Sequence, residues 1–259
     1  MFRIDYDSPL NGGGEGVWGR VGDPRSPSPP PNSLILVGTV HGDPQGYERA
    51  WKLLAYFQPD LVSVEISRFS LNYRRRQEKR WARLLNQALM ALPAAARGHP
   101  ALQRVAAQVA MPFEVQVAQD WCRQFGRAWA PLDLGAPARW HLPRYGRELL
   151  SPANLRTLLD SAPGSLTNFV AQEFRRASLA CGRAPWRLPP QCTPEILKRE
   201  RFLARRLTRL IFGGRRVMHL GGWEHLVPWR DGSGLSRLLA DFKPLRLLLE
   251  DADNLAAGE

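Results

Sequence analysis

A chain of 259 residues with 44% hydrophobic and 23% charged residues is long enough to bury a sizeable core, and its composition excludes a wholly disordered polypeptide. No apolar run approaches the roughly 20 residues that span a bilayer, and the start Met-Phe-Arg-Ile-Asp-Tyr-Asp lacks the apolar core of a signal peptide, so a cytoplasmic protein without a transmembrane segment is expected. The formal charge of +12 is mostly arginine interspersed with acids and comes without the fingerprint of a nucleic-acid module, so it reads as an arginine-preferring composition rather than a nucleic-acid surface.

Residues 1–33 are rich in glycine, proline and serine, with Gly12-Gly13-Gly14 followed by Pro27, Pro29, Pro30 and Pro31, and read as a mobile lead-in. The organising stretch comes next. Leu34 to His41 is a short apolar run passing through Gly38 and ending on a histidine, the pattern of a buried strand of an α/β sheet. Ligands gather outside the carboxyl ends of such strands, which delivers His41 to the place where chemistry sits.

Gly42 to Gly46 is a turn opening a helix to about Gln58, with Ala50, Leu53, Leu54 and Phe57 at helical spacing, and Leu61 to Ile66 is a second buried strand. The resulting βαβ unit places Glu65 near the edge that carries His41. Buried in an apolar strand, that carboxylate needs a partner: a salt bridge and a functional role are equally consistent with it.

A long helix is expected from Phe69 to about Leu92, with Arg74, Arg75, Arg76, Lys79 and Arg80 toward solvent, a second from Ala101 to Ala110, and a third from Pro112 to Gly126. Arg127 to Leu134 is the next strand, with Asp133 at its exit. Residues 146–182 form a second helical block, Ala184 to Cys192 a linker, and Thr193-Pro194 caps a basic helix to Phe212. Arg216 to Gly221 then repeats the opening design, a strand running into Gly222-Trp223-Glu224-His225, again Gly-x-x-His at a strand exit. A short helix at Gly232 to Asp241, a last strand at Leu245 to Leu249 and a frayed acidic tail over 251–259 complete the chain. The fold class is therefore α/β, a central, mostly parallel sheet flanked by helices, as a single domain over 34–250 with helical insertions at about 69–126 and 146–212.

If the two Gly-x-x-His strands are neighbours, both histidines and Glu65 face one crevice. Imidazole and carboxylate suit a divalent transition metal such as zinc, manganese or cobalt, which polarises a carbonyl and acidifies its bound water. The assignments are His41 and His225 as ligands, Glu65 as third ligand or general base, and Asp133 orienting a histidine. A single histidine at a strand exit is more often a hydrogen-bonded structural group, and it is the pairing of the two motifs that argues for ligands. His219 reads as core, His99 and His141 as solvated. Cys122, Cys181 and Cys192 lack metal-ligand spacing and receive no role. There is no His-Glu-x-x-His, Gly-x-Ser-x-Gly or Walker-type loop.

The order Gly-Thr-Val-His, then Pro-Asp-Leu-Val-Ser-Val-Glu, then a distant Glu-Arg pair and a final Gly-x-x-His resembles the TraB/PrgY and TIKI superfamily. Its fold is similar to the erythromycin-esterase and ChaN-like proteins, its TIKI branch comprises metal-dependent peptidases, and its bacterial branch is linked to peptide-pheromone shutdown. Gly38 and His41 match the first motif, Glu65 the strand-end glutamate, Gly222 and His225 the last motif, while Glu114, Asp133 and the Glu200-Arg201 pair fit the middle region, a match that implies Arg201 as the holder of a substrate carboxylate or oxyanion. The family usually has small residues where this chain has Trp223 and Glu224, which leaves Glu224 either an extra ligand or an outward-facing acid. The resemblance implies a metal-dependent hydrolase of peptide or other small-molecule substrates, monomeric or oligomeric. A non-catalytic peptide- or anion-binding protein on the same scaffold, and an arginine-rich nucleic-acid or membrane-surface adaptor, are the alternatives.

Overall fold

The computed structural model describes residues 33–160, 165–182, 193–212, 214–229 and 233–255. Of the expected lead-in over 1–33 only Ser33 is described, buried and accepting from the Val217 N–H at 2.7 Å, and the proline-rich linker over 184–192 lies outside the described residues. Five strands, β1 (Leu34–Thr39), β2 (Leu61–Val64), β3 (Ala128–Pro131), β4 (Val217–Gly222) and β5 (Leu245–Leu248), form one sheet in the order β3-β2-β4-β1-β5. Every pairing is parallel, so the expected mostly parallel sheet is parallel throughout the described strands. Strand β1 is buried along its whole length, as its uninterrupted apolar run requires of a strand covered on both faces.

The helices α1 (Gly46–Phe57) and α4 (Phe113–Phe125) pack together, with α4 against β2 and β3, while α7 (Leu166–Cys181) contacts β5, α8 (Pro194–Ile211) contacts β4, and the short α9 (Leu235–Leu238) packs on α8. Thr193 caps α8 by accepting from the Ile196 N–H, as the Thr-Pro start predicts. The insertion is arranged differently from expectation. Helices α2 (Arg68–Met90) and α3 (Pro100–Val109) pack with α6 (Pro152–Leu159), and α2 also packs against α5 (Gly135–His141). They enclose a second apolar cluster around Trp81, Leu85, Leu102, Val105 and Leu155. Parts of both expected insertions thus form one helical unit, while α4, α7 and α8 belong to the main core.

The acidic stretch after β5 is docked, contrary to the frayed tail read from composition. Residues Leu249–Asn254 form a short helical turn with Leu249 and Ala252 fully buried, and Arg49 ties Asp253 at 2.6 Å to α1 while also holding Asp43 at 2.9 Å. No described helix is long and apolar enough to cross a membrane.

The connection leaving β1 runs to β2 across β4, and the one leaving β4 runs to β5 across β1, so the two depart in opposite directions. The crevice of an open parallel sheet lies at such a switch. At this switch Gly38 meets the turn that follows β4: a Cβ there would stand 2.7 Å from Leu226 Cδ1 and 2.9 Å from Trp223 Cα. The expected outcome for Gly38→Ala is a loss of about 1–3 kcal/mol in urea unfolding, from overpacking against backbone that cannot yield.

Candidate functional site

Strands β1 and β4 are direct neighbours in register Gly38↔Gly221 and Thr39↔Gly222, and β2 lies on the other side of β4. The two Gly-x-x-His motifs and Glu65 therefore leave the sheet side by side. Around them lies a crevice of about 420 Å³ whose walls include His41, Glu65, Glu114, Asp133, Glu224 and Arg74.

Glu65 follows β2, and its backbone N–H extends the ladder to the Leu220 carbonyl at 2.9 Å. Its carboxylate accepts from the Gly222 N–H at 2.6 Å, contacts His225 Nε2 at 2.8 Å and pairs with the Arg199 guanidinium. His225 sits on the helical turn Trp223–Leu226, and its second nitrogen, Nδ1, lies 2.8 Å from Glu200 on α8. Glu200 also accepts from the Leu235 N–H at 2.6 Å, and Arg199 reaches on to Asp133 with Nε and a terminal nitrogen at 2.8 Å each. A chain of charges, Glu200, His225, Glu65, Arg199 and Asp133, thus joins α8 to the exits of β2, β3 and β4.

Burial disfavours the charges of His225, Glu65 and Arg199, and their pairing offsets it. Burial by itself would lower the His225 pKa, yet Glu65 and Glu200 push it up to about 10, making an imidazolium at neutral pH. Burial by itself would raise that of Glu65, yet His225, Arg199 and the Gly222 N–H hold it well below the usual carboxylate range. His219, beneath the same edge, contacts Ser63 Oγ through Nδ1 at 3.0 Å, while its Nε2 has no partner. Burial, reinforced by His225 and Arg199, lowers its pKa to about 4 against the pull of Glu65, so this ring is neutral. Gly221 makes room for both groups, since a Cβ there would stand 2.9 Å from Glu65 Oε2 and from His219 Nε2.

His41 is set apart from this chain. Its side chain is 49% exposed on the crevice wall, with Nδ1 at 4.0 Å from Glu114 Oε1 in the first turn of α4. Glu114 is 6% exposed, accepts from Thr39 Oγ1 at 2.9 Å, and its second oxygen is unpartnered. Glu224 stands at the rim, where partial desolvation against the crevice, opposed by His225 and assisted by Glu65 and Glu173, raises its pKa.

The expected ligand set is not assembled. Among the described residues no three His, Cys, Asp or Glu side chains are grouped as metal donors. The reason lies in His225: both ring nitrogens face carboxylates, and metal coordination requires a neutral imidazole with a free lone pair. His41, Glu65 and His225 in this arrangement do not fit a common metal.

The arginine of the site is Arg199 rather than Arg201, which lies exposed on α8. Helical phase carries this signal: Leu203, Leu207 and Ile211 are buried at intervals of four, and Arg199 continues that row. Arg74, expected toward solvent, turns into the crevice, in phase with the buried Ser70 and Trp81. His219 was legible as buried, though not as a neighbour of Glu65.

Comparison with known protein families, with curated proteins and with solved structures gives no match to this chain. His225→Ala should leave Glu65 and Glu200 buried without their shared cation and cost about 3–5 kcal/mol in urea unfolding at neutral pH. A pKa raised to about 10 in the fold stabilises fully below the unfolded histidine value near 6.5, and the contribution fades as pH rises toward 10. Unfolding curves taken across that window should show a decline in the native chain that the His225→Ala variant lacks.

Proposed function

We propose that this chain is a hydrolase of carbonyl compounds, peptide-like substrates first, as the resemblance to the TraB/PrgY and TIKI superfamily implies. The observation that carries the reading is the crevice at the sheet's switch point, where a solvent-accessible imidazole, His41, stands opposite a rigid, charge-compensated wall built on Glu65. Proteins place ligands at this position of a parallel sheet, and an accessible imidazole is the commonest side chain for moving protons near neutral pH.

In this reading His41 takes the proton from the attacking water and returns it to the leaving group. Glu114, fixed by Thr39, orients the ring, closing the 4.0 Å gap when substrate excludes solvent. Glu65 stays ionised and, with the Arg199 and His225 cations behind it, fixes the polar face against which the substrate lies. A divalent metal, which the resemblance also implies, would supply Lewis acidity, but the expected trio does not fit one as arranged, and no step is assigned to it. A second reading, capture of a peptide without turnover, is favoured by the same saturation of His225 and Glu65, which leaves His41 as the one accessible imidazole on the described crevice wall.

The test is cleavage of a mixed peptide library and of simple aryl esters by the purified full chain, in chelator and with added manganese, cobalt or zinc. Turnover that survives chelation and falls by about 10²–10⁴ in His41→Gln supports the proposal. Turnover only with metal would replace the His41 base by the two-histidine metal site, and binding without turnover would leave the peptide-capture reading standing.

A further inference from the structure

Arg74 is a cation that the proposed chemistry does not use. It stands on α2, half-buried, and is one of the residues lining the crevice that also holds His41, Ser70 and Glu114. One terminal nitrogen donates to the carbonyls of Gln108 at 2.9 Å and Ala110 at 3.0 Å, at the end of α3, which fixes the side chain in place. A guanidinium carries five N–H donors in a rigid fork, and that nitrogen supplies only two of them. Nε and the other terminal nitrogen have no hydrogen-bond partner among the described residues, and no carboxylate there lies within ion-pair distance of the group. Burial lowers its pKa, opposed by Tyr145 and, at longer range, by Glu114.

Arg199, the other guanidinium near the crevice, is committed to Glu65 and Asp133 through its Nε and a terminal nitrogen. The anion-holding role expected of Arg201 therefore falls to Arg74 by geometry. We propose that Arg74 binds a free carboxylate of the ligand through its unused N–H pair, so that the crevice selects small, carboxylate-terminated peptide-like molecules rather than internal segments of long chains. A volume of about 420 Å³ accords with a ligand of that size. The inference rests on the reading of the crevice as a substrate site, but it concerns binding and does not depend on turnover.

The experiment compares alanyl-phenylalanine with its C-terminal amide by calorimetry, using the full chain with His41→Gln so that the probes stay intact. The acid should bind at least about tenfold tighter than the amide, the worth of a charge-assisted pair in a partly dry site. Arg74→Lys should keep part of that preference. Arg74→Gln, whose amide can still donate to the α3 carbonyls, should bring the ratio to about one with an unchanged melting temperature. Equal binding of acid and amide by the parent protein, binding of neither, or an undiminished preference in Arg74→Gln overturns the inference. If the native protein turns over none of the library peptides or aryl esters while the Arg74-dependent preference persists, the hydrolase reading fails and this one stands.

Discussion

The structure depends on one buried imidazolium. His225 lies between Glu65 and Glu200 with a carboxylate oxygen 2.8 Å from each ring nitrogen, and the next cation along, Arg199, links Glu65 to Asp133. Removing a charge from water costs several kcal/mol, so none of these groups is tolerable at this depth by itself. Together they tie three strand exits to α8 and set the inner wall of the crevice. The cost of desolvation becomes a constraint on geometry, because each side chain must stay where its partner needs it.

The backbone cooperates by leaving space. Gly38 lets the turn after β4 approach β1, and Trp223 fills the place next to it, 4% exposed within the main core. That packing explains the bulky residue between the glycine and histidine of the second motif: it is a core contact at the β1–β4 seam. Glu224, the next residue, is exposed at the crevice rim, and its Oε2 would lie 3.0 Å from a Cβ on Gly222.

Much of the scaffold was legible in the sequence because strand and helix periods are local. The apolar run before His41, the helix to Phe57 and the Thr193 cap follow from neighbours in the chain. The adjacency of the two Gly-x-x-His strands was a topological inference, and the parallel register of β1 with β4 realises it. What was not legible is which charges meet. Whether His225 offers a lone pair or is held by two acids depends on Glu200, 25 positions earlier on another element, and no local pattern encodes that pairing. Arg199 was within reach through helical phase, whereas the docked segment after β5 was hidden by a composition that resembles a loose terminus. Its anchor, Arg49, lies some two hundred positions away.

The protonation of His225 decides between the two views of this crevice, since a doubly protonated ring belongs to an ion-pair wall and a neutral one is free to hold a metal. Nitrogen-15 NMR of the histidine side chains at pH 8 measures it directly. His225 should carry protons on both Nδ1 and Nε2 while the buried His219 carries one. A neutral His225 at that pH would contradict the ion-pair wall.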